Sequence, residues 1–493
     1  MIDALWTWQD LVDAAEATAD GAPGIPITGF SIDTRSLQPG EVFVALRDQR
    51  DGHEFVGAAF ERGAAAAIVA KDYGRKPGDG ALLRVSDPLE GLTAIARAAR
   101  ARTNARIVAV TGSVGKTGTK EALRVALSPL GPTHAAEKSF NNHWGVPLTL
   151  ARMPADVRYG VFEIGMNHAG EITPLTQLVR PHVAIITTVE PVHLEFFGSV
   201  EAIADAKAEI FVGLEKYVRE EQDRGSGPAG KAYGGYTAIL NRDNPQYDRL
   251  ARAAALRGVE IVSFGSHPEA DLRADVLELG PTGTNVSAVL KGRRIDYRVG
   301  APGAHIAQNS LAVVAAIDAL GADVEQAVAA LVGLSAPKGR GERSKIGLEN
   351  GAILLIDESY NANPASMRPA LAAMAGVPRD EFPRRIAVLG DMLELGEQSG
   401  SLHEGLKDSV DAAEVDLVFA CGSSMQRLFD ALPSERRGEW APASQGILGP
   451  LMATVRAGDV IMVKGSLGSR MAPIVEALLQ KGQEGRVGLA SGK

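Results

Sequence analysis

A chain of 493 residues is longer than one hydrophobic core usually serves, so roughly two to four domains are expected. Its 45% apolar and 23% charged residues are ordinary for a globular protein, and a formal net charge of −9 argues against nucleic acid or an anionic membrane as the partner. The one cysteine, Cys421, excludes an intrachain disulfide and a thiolate metal cluster, and no apolar run approaches about 18 residues, so a cytoplasmic location without membrane insertion is expected.

In chain order, the pattern predicts a first unit over 1–87: a helix at 8–17, strands at 29–33 and 42–46, a helix at 55–62 and a strand at 65–69. An Arg-rich helical stretch at 91–102 connects it to the next unit. A β-branched apolar run at 106–110 then leads into Thr111-Gly112-Ser113-Val114-Gly115-Lys116-Thr117, followed by an amphipathic helix at 119–127. Strand, glycine turn and helix in that order make a phosphate cradle, in which backbone N–H groups and the helix N-terminus face the phosphates. Lys116 supplies the cation and the Thr117 hydroxyl a ligand for Mg²⁺. Val110 stands where the strict P-loop pattern has its first glycine, so this is a shortened variant. Apolar strands at 161–164, 183–188, 236–240 and 261–264 alternate with helical stretches, which predicts a mostly parallel sheet covered by helices over 88–338. The polar, Gly-rich segment 219–235 is expected to be an exposed insertion. A third unit over 339–493 has strands at 353–356, 386–389, 417–420 and 460–463.

Three further positions carry chemistry. Glu163 lies in an otherwise apolar strand and needs a partner there, either a core cation or a Mg²⁺ ion shared with Thr117. His193 follows the strand at 183–188, at the end where α/β sheets bind ligands, although an ordinary turn histidine fits the same place. Lys207 is in a helical stretch and, taken alone, reads as a solvated lysine.

Together these features resemble the Mur ligase family, ATP-dependent amide-forming enzymes of cell-wall synthesis that include the folylpolyglutamate synthetases. The family's P-loop matches Gly112, Ser113, Val114, Gly115, Lys116, Thr117 and Gly118, the last usually Ser or Thr. Its metal-binding glutamate and histidine match Glu163 and His193, and its carbamylated lysine matches Lys207. Carbamylation turns a cation into an anionic oxygen ligand, so two Mg²⁺ ions are implied, held among Thr117, Glu163, His193 and Lys207. Asn241 with Asp243, and His305 with Asn309, match its adenine-site motifs; Ile306 stands where Asn is common. Arg340 matches the interdomain arginine that reaches the phosphates, and Asp357 is placed with it on the nucleotide side.

For the other substrates, Asn141 and Asn142 lie in a match to the family's Asn-Asn-x-x-Gly-Val-Pro loop. Thr34, Arg35, Ser36, Gly52 and His53 lie in segments resembling its UDP-binding turns, with Asp48 near a usual glycine. The third unit resembles the D-alanyl-D-alanine-adding branch through Asp357-Glu-Ser-Tyr-Asn-Ala-Asn-Pro364, Val388-Leu-Gly-Asp-Met-Leu-Glu-Leu-Gly396 and Val463-Lys-Gly-Ser466. Tyr360, Asn361, Asn363, Lys464 and Ser466 are its implied substrate residues. The Asp-Asn-Pro-Arg motif of the diaminopimelate-adding relative is missing there. The resemblance implies an α/β protein of three domains: a small UDP-binding domain, a central P-loop ATPase sheet and a Rossmann-like C-terminal domain. It implies a monomer that joins UDP-N-acetylmuramoyl-tripeptide to D-alanyl-D-alanine through an acyl phosphate, hinged near Thr103 and Pro337. A guanine-reading Asn-Lys-x-Asp segment is missing, which ranks a GTPase last, and a scaffold that only binds nucleotide would not need Glu163, His193 and Lys207 together.

Overall fold

The apolar runs gather into three separate sheets in the computed structural model, which describes residues 4–137, 139–214, 236–280 and 282–490. The insertion expected at 219–235 lies outside the described residues. The first sheet has five strands in the order Thr18–Asp20, Ala81–Val85, Ala66–Ala70, Glu41–Val44, Gly29–Ser31, parallel except for the first pair. The connector helix starts earlier than its pattern suggested, at Pro88–Ala101, because Asp87 caps it by accepting from the N–H groups of Leu89 and Glu90. Leu92, Ile95 and Ala99 on one face bury against Phe30, Val42 and Leu83 of this sheet, while Ala96 reaches the core of the next.

The second sheet has nine strands in the order Arg293–Val299, Gly283–Leu290, Leu272–Gly280, Glu260–Gly265, Thr237–Asn241, Val183–Ile186, Arg106–Thr111, Tyr159–Glu163, Thr133–Ala135. The pairs from Thr133–Ala135 to Leu272–Gly280 are parallel, as expected, and the remaining two are antiparallel. The sequence pattern did not predict this antiparallel meander. In Arg293–Val299 only Ile295, Tyr297 and Val299 face inward, onto helix Ala304–Ala319, and the alternate positions are exposed charges. Such half-solvated strands are short of the apolar runs that marked the parallel ones.

The third sheet has six strands in the order Glu342–Leu348, Gly351–Glu358, Asp459–Lys464, Arg384–Gly390, Leu417–Cys421, Arg437–Ala441. Only the first pair is antiparallel. Its two outer strands are also additions to the predicted set. The consequence for the site is directional: the parallel strands of the second and third sheets end at Thr111, Glu163, Asn241, Glu358 and Lys464, and the loops beyond those ends share one cleft. Among the described residues no helix is long and apolar enough to cross a membrane.

Candidate active site

The strand Arg106–Thr111 turns through Gly112 (φ +148°) and Gly115 (φ +86°) into helix Lys116–Leu127. Gly112 is required by space as well as by φ, and Gly115 chiefly by φ. A Cβ on Gly112 would lie 2.0 Å from Thr187 Oγ1, and one on Gly115 would lie 2.5 Å from Asn309 Nδ2. The turn is pinned from below, since Ser113 N–H donates to Thr188 O (2.9 Å) and Ser113 Oγ donates to Glu190 O (3.1 Å). Lys116 folds back over the loop, donating to Gly112 O (2.7 Å) and Ser113 O (3.4 Å). Loss of surrounding water lowers the pKa of this ammonium; Glu163 opposes that and Arg340 adds to it. By contrast a Cβ at Gly118 would meet open space, so the family's usual Ser or Thr would fit there.

Glu163, 2% exposed, finds its partners at the mouth of the loop rather than in a core ion pair. Thr117 Oγ1 donates to its Oε2 (2.9 Å) and Asn141 Nδ2 to its Oε1 (2.7 Å). Thr117 Oγ1 also meets Ser139 Oγ (3.1 Å), which accepts in turn from Arg340 Nη2 (3.3 Å). Arg340 lies between Gly339 (φ +74°) and Gly341 (φ +97°) in the link to the third domain, with its guanidinium 4.1 Å from the centre of the Tyr360 ring. One hydrogen-bonded chain thus runs from the P-loop helix to the interdomain link. Ser139 carried no sequence signal beyond its place just before the Asn-Asn motif.

Lys207, on helix Val200–Ala208, is only 2% exposed, and no acceptor among the described residues reaches its Nζ. Burial pushes its pKa well below the usual lysine range, and the Lys116 charge pushes it further. The expectation of a solvated lysine, drawn from the helix pattern alone, therefore gives way to a buried amine beside the P-loop. His193 (φ +56°) lines the cleft, and its Nδ1 meets Glu394 Oε2 from the third domain. Thr117 and Glu163 are brought together directly. Among the described residues no three His, Cys, Asp or Glu side chains cluster as a metal site would need. The oxygen donors of Thr117 and Glu163 nevertheless fit a hard divalent cation, and Lys207 fits only once it carries oxygen.

A cavity of about 580 Å³ opens between the two larger sheets. Lys116, Glu163, Asn241, His305 and Asn309 line one side of it, and Tyr360, Asn361, Asn363 and Lys464 the other. Asn241 Nδ2 donates to Thr187 O (3.2 Å), and its Oδ1 accepts from Asp243 N–H (3.0 Å). Asp243 organises the loop after Glu260–Gly265 by accepting from Ser266 and His267 N–H, and it also accepts from Gln308 Nε2. Asp357 is buried and satisfied by Ser359, and the cavity wall at that strand end is Glu358. Glu358 pairs with Lys464 Nζ (2.9 Å), which also donates to Asn361 O (3.1 Å).

Several polar residues of the motifs are bonded within the fold. Asn363 caps helix Pro364–Ala375 in a reciprocal capping box with Ser366. Asn142 Oδ1 accepts from Trp144 N–H (3.2 Å) and Gly145 N–H (2.9 Å) at the start of helix Gly145–Ala151. Ser466 Oγ donates to Ala362 O (3.1 Å) and accepts from Leu393 N–H (3.0 Å), tying two motifs together. In the first domain, His53 Nε2 accepts from Ala70 N–H (2.9 Å), so its Nδ1 carries the hydrogen toward Asp51. A Cβ on Gly52 would lie 2.4 Å from Leu46 O, which holds this turn tight against its strand. Thr34, Arg35 and Ser36 form a turn after Gly29–Ser31, where Arg35 is exposed and pairs with Asp33 (2.7 Å).

The chain is similar to known proteins over most of its length. The family model of the Mur ligase middle domain matches residues 110–317, and that of the Mur ligase glutamate ligase domain matches residues 339–467. The UDP-N-acetylmuramoyl-tripeptide–D-alanyl-D-alanine ligase of Rickettsia prowazekii is 32% identical over 444 residues, 90% of this chain and 93% of that one. The enzyme of the same name from Escherichia coli is 32% identical over 480 residues, 97% of this chain and 99% of that one. Among solved structures, MurF from Acinetobacter baumannii superposes with a TM-score of 0.78 at 29% identity, covering 97% of this chain and 99% of that one. MurF from Thermotoga maritima, solved in complex with ADP, shares the fold with a TM-score of 0.73 at 23% identity, covering 93% of this chain and 98% of that one.

Proposed function

This chain belongs to the Mur ligase family, and from that premise we propose that it joins UDP-N-acetylmuramoyl-tripeptide to D-alanyl-D-alanine, converting ATP to ADP and phosphate. The observation that carries this reading is the single cleft in which the P-loop, the Thr117–Glu163 pair and the third-domain Lys464–Glu358 pair face one another. The relatives' shared name supplies the substrates. We assign the nucleotide sugar to 1–87, ATP to 88–338 and the dipeptide to 339–493, in a cytoplasmic monomer.

A carboxylate is a poor acyl donor, so its oxygen first attacks the γ-phosphorus of ATP. The bond to the β–γ bridging oxygen breaks, ADP leaves, and an acyl phosphate forms on the tripeptide. Such a transfer needs alignment and charge neutralisation more than covalent help. The loop N–H groups orient the phosphates, Lys116 turns from the carbonyls of Gly112 and Ser113 to them, and Arg340 approaches from the link. The dipeptide amine then attacks the acyl carbon and loses a proton as phosphate departs. Closure of the third domain over the cleft brings that amine in and keeps water from the acyl phosphate.

Thr117 and Glu163 would hold one Mg²⁺, and His193 with carbamylated Lys207 a second. Bound there, Mg²⁺ would offset the repulsion between the γ-phosphate and the attacking carboxylate. Lys207 is suited to carbamylation because burial favours its neutral amine, which adds to CO₂ with loss of a proton. Gly115→Ala is expected to weaken ADP binding on the order of tenfold or more, since a left-handed residue there costs over ~1 kcal/mol before the clash with Asn309; calorimetric titration checks it. To test the function, the nucleotide sugar, ATP and a panel of amines are incubated with the protein and the products weighed by mass spectrometry. UDP-linked pentapeptide from D-alanyl-D-alanine is the expected product. A product from another amine alone would overturn the assigned acceptor.

A further inference from the structure

The segment Asp391-Met392-Leu393-Glu394-Leu395 is mostly engaged within its own domain. Asp391 accepts from Met425 N–H (2.7 Å), and Met392 and Leu395 are buried in the third-domain core. Glu394 departs from this. Its φ of +64° is a left-handed value that costs a non-glycine residue on the order of 1 kcal/mol or more, and it turns the carboxylate away from its own domain. Among the described residues its hydrogen-bonding side-chain partner is His193, 201 positions earlier in the middle domain. His193 is itself left-handed at φ +56°. Two strained backbones therefore present their side chains to each other across the domain boundary.

The contact has a base around it. The short helix Leu194–Phe197 faces the turn Gly396–Gln398, and Gly396 (φ +57°) comes so near that a Cβ there would lie 3.5 Å from Glu195 Cα. His168, at 4.7 Å ring distance from Phe196, adds a second imidazole near the same carboxylate. An ionised carboxylate only accepts, so Nδ1 of His193 must carry the hydrogen. In the neutral ring this leaves the lone pair on Nε2. A histidine prepared as a metal ligand has this form, since the carboxylate fixes the tautomer, orients the ring and raises its basicity.

We propose that Glu394 is a positioning residue, delivered by the third domain, that orients His193 and so couples domain closure to completion of the metal-binding set. The proposal rests on the reading of His193 as a metal ligand. Glu394 touches no reacting atom. The third domain thus brings the acceptor amine to the cleft and, in the same movement, fixes a ligand in the middle domain.

The test uses the full chain with ADP and Mn²⁺ as the probe, bound Mn²⁺ being read by electron paramagnetic resonance, with no turnover required. Glu394→Ala is expected to raise the Mn²⁺ midpoint about tenfold. Glu394→Gln, whose amide oxygen still accepts from Nδ1, is expected to recover most of that loss. In a His193→Ala background the further change Glu394→Ala is expected to have no effect, which a general loss of folding would not reproduce. The radius of gyration from solution scattering is expected to rise in Glu394→Ala as the closed form is lost. If His193→Ala weakens Mn²⁺ binding and Glu394→Ala does not, this proposal alone is overturned. If His193→Ala changes nothing, the metal reading of His193 fails and takes the proposal with it.

Discussion

Lys116→Ala is expected to lower the turnover number by about 10³-fold while moving the unfolding midpoint by no more than about 3 °C. The two halves of this expectation come from different parts of the geometry. For stability, Lys116 Nζ makes its hydrogen bonds to Gly112 O and Ser113 O at the rim of a large cavity. Lys116 and Ser113 line that cavity, so water is expected to take the place of the ammonium when the side chain is removed, which keeps the cost small. The loop keeps its shape through Gly112, Gly115 and the Ser113 bonds to Thr188 and Glu190. For activity, among the described residues no other cation hydrogen-bonds to the loop's carbonyls at Gly112 and Ser113, and Arg340 approaches from Ser139 instead. Phosphate release under saturating substrates and thermal unfolding by circular dichroism check both halves. Turnover within tenfold of wild type would remove Lys116 from the transition state.

Lys207→Met is expected to move stability and activity in opposite directions. The ammonium of Lys207 is taken from water, pairs with no acceptor among the described residues and feels the charge of Lys116. An apolar side chain of similar length there is expected to raise stability by about 1–3 kcal/mol in CO₂-free buffer. The sign with pH follows from the lowered pKa. Between its folded value and the unfolded value of 10.5, the unfolded chain binds the extra proton, so the lysine's penalty is full below that window and relieved as pH rises through it. The advantage of Met should therefore be largest below the window and fade toward the unfolded value. Activity should be nearly abolished in Lys207→Met and Lys207→Ala alike. In Lys207→Ala a short carboxylic acid should restore part of it by supplying the missing oxygens. Full activity of Lys207→Ala without such an acid contradicts the carbamate.

Much of the middle domain was legible because its signals are local. The run at 107–110 is apolar throughout, and the turn after it needs glycine where φ is positive. Glu163 was legible as a carboxylate out of place in an apolar strand. The strands from Leu272 to Val299 were not: charges alternate with the buried residues in Arg293–Val299, charges interrupt Leu272–Gly280, and Asn285 and Ser287 break the apolar run of Gly283–Leu290. Polar motif residues were the harder case. Asn142, Asn363, Ser466 and His53 are spent on backbone groups nearby, and an Asn or Ser reads alike whether it meets a ligand or a helix end. Glu394 stood in a motif that matched the family but acquired a role only when the fold brought His193 to it.

Phosphate release from ATP and Mg²⁺, followed with and without each substrate, tests the central claim most directly. Release that requires both UDP-N-acetylmuramoyl-tripeptide and D-alanyl-D-alanine is the result expected of a cleft shared by the P-loop and the third domain. Release indifferent to either substrate, or none with both present, would contradict it.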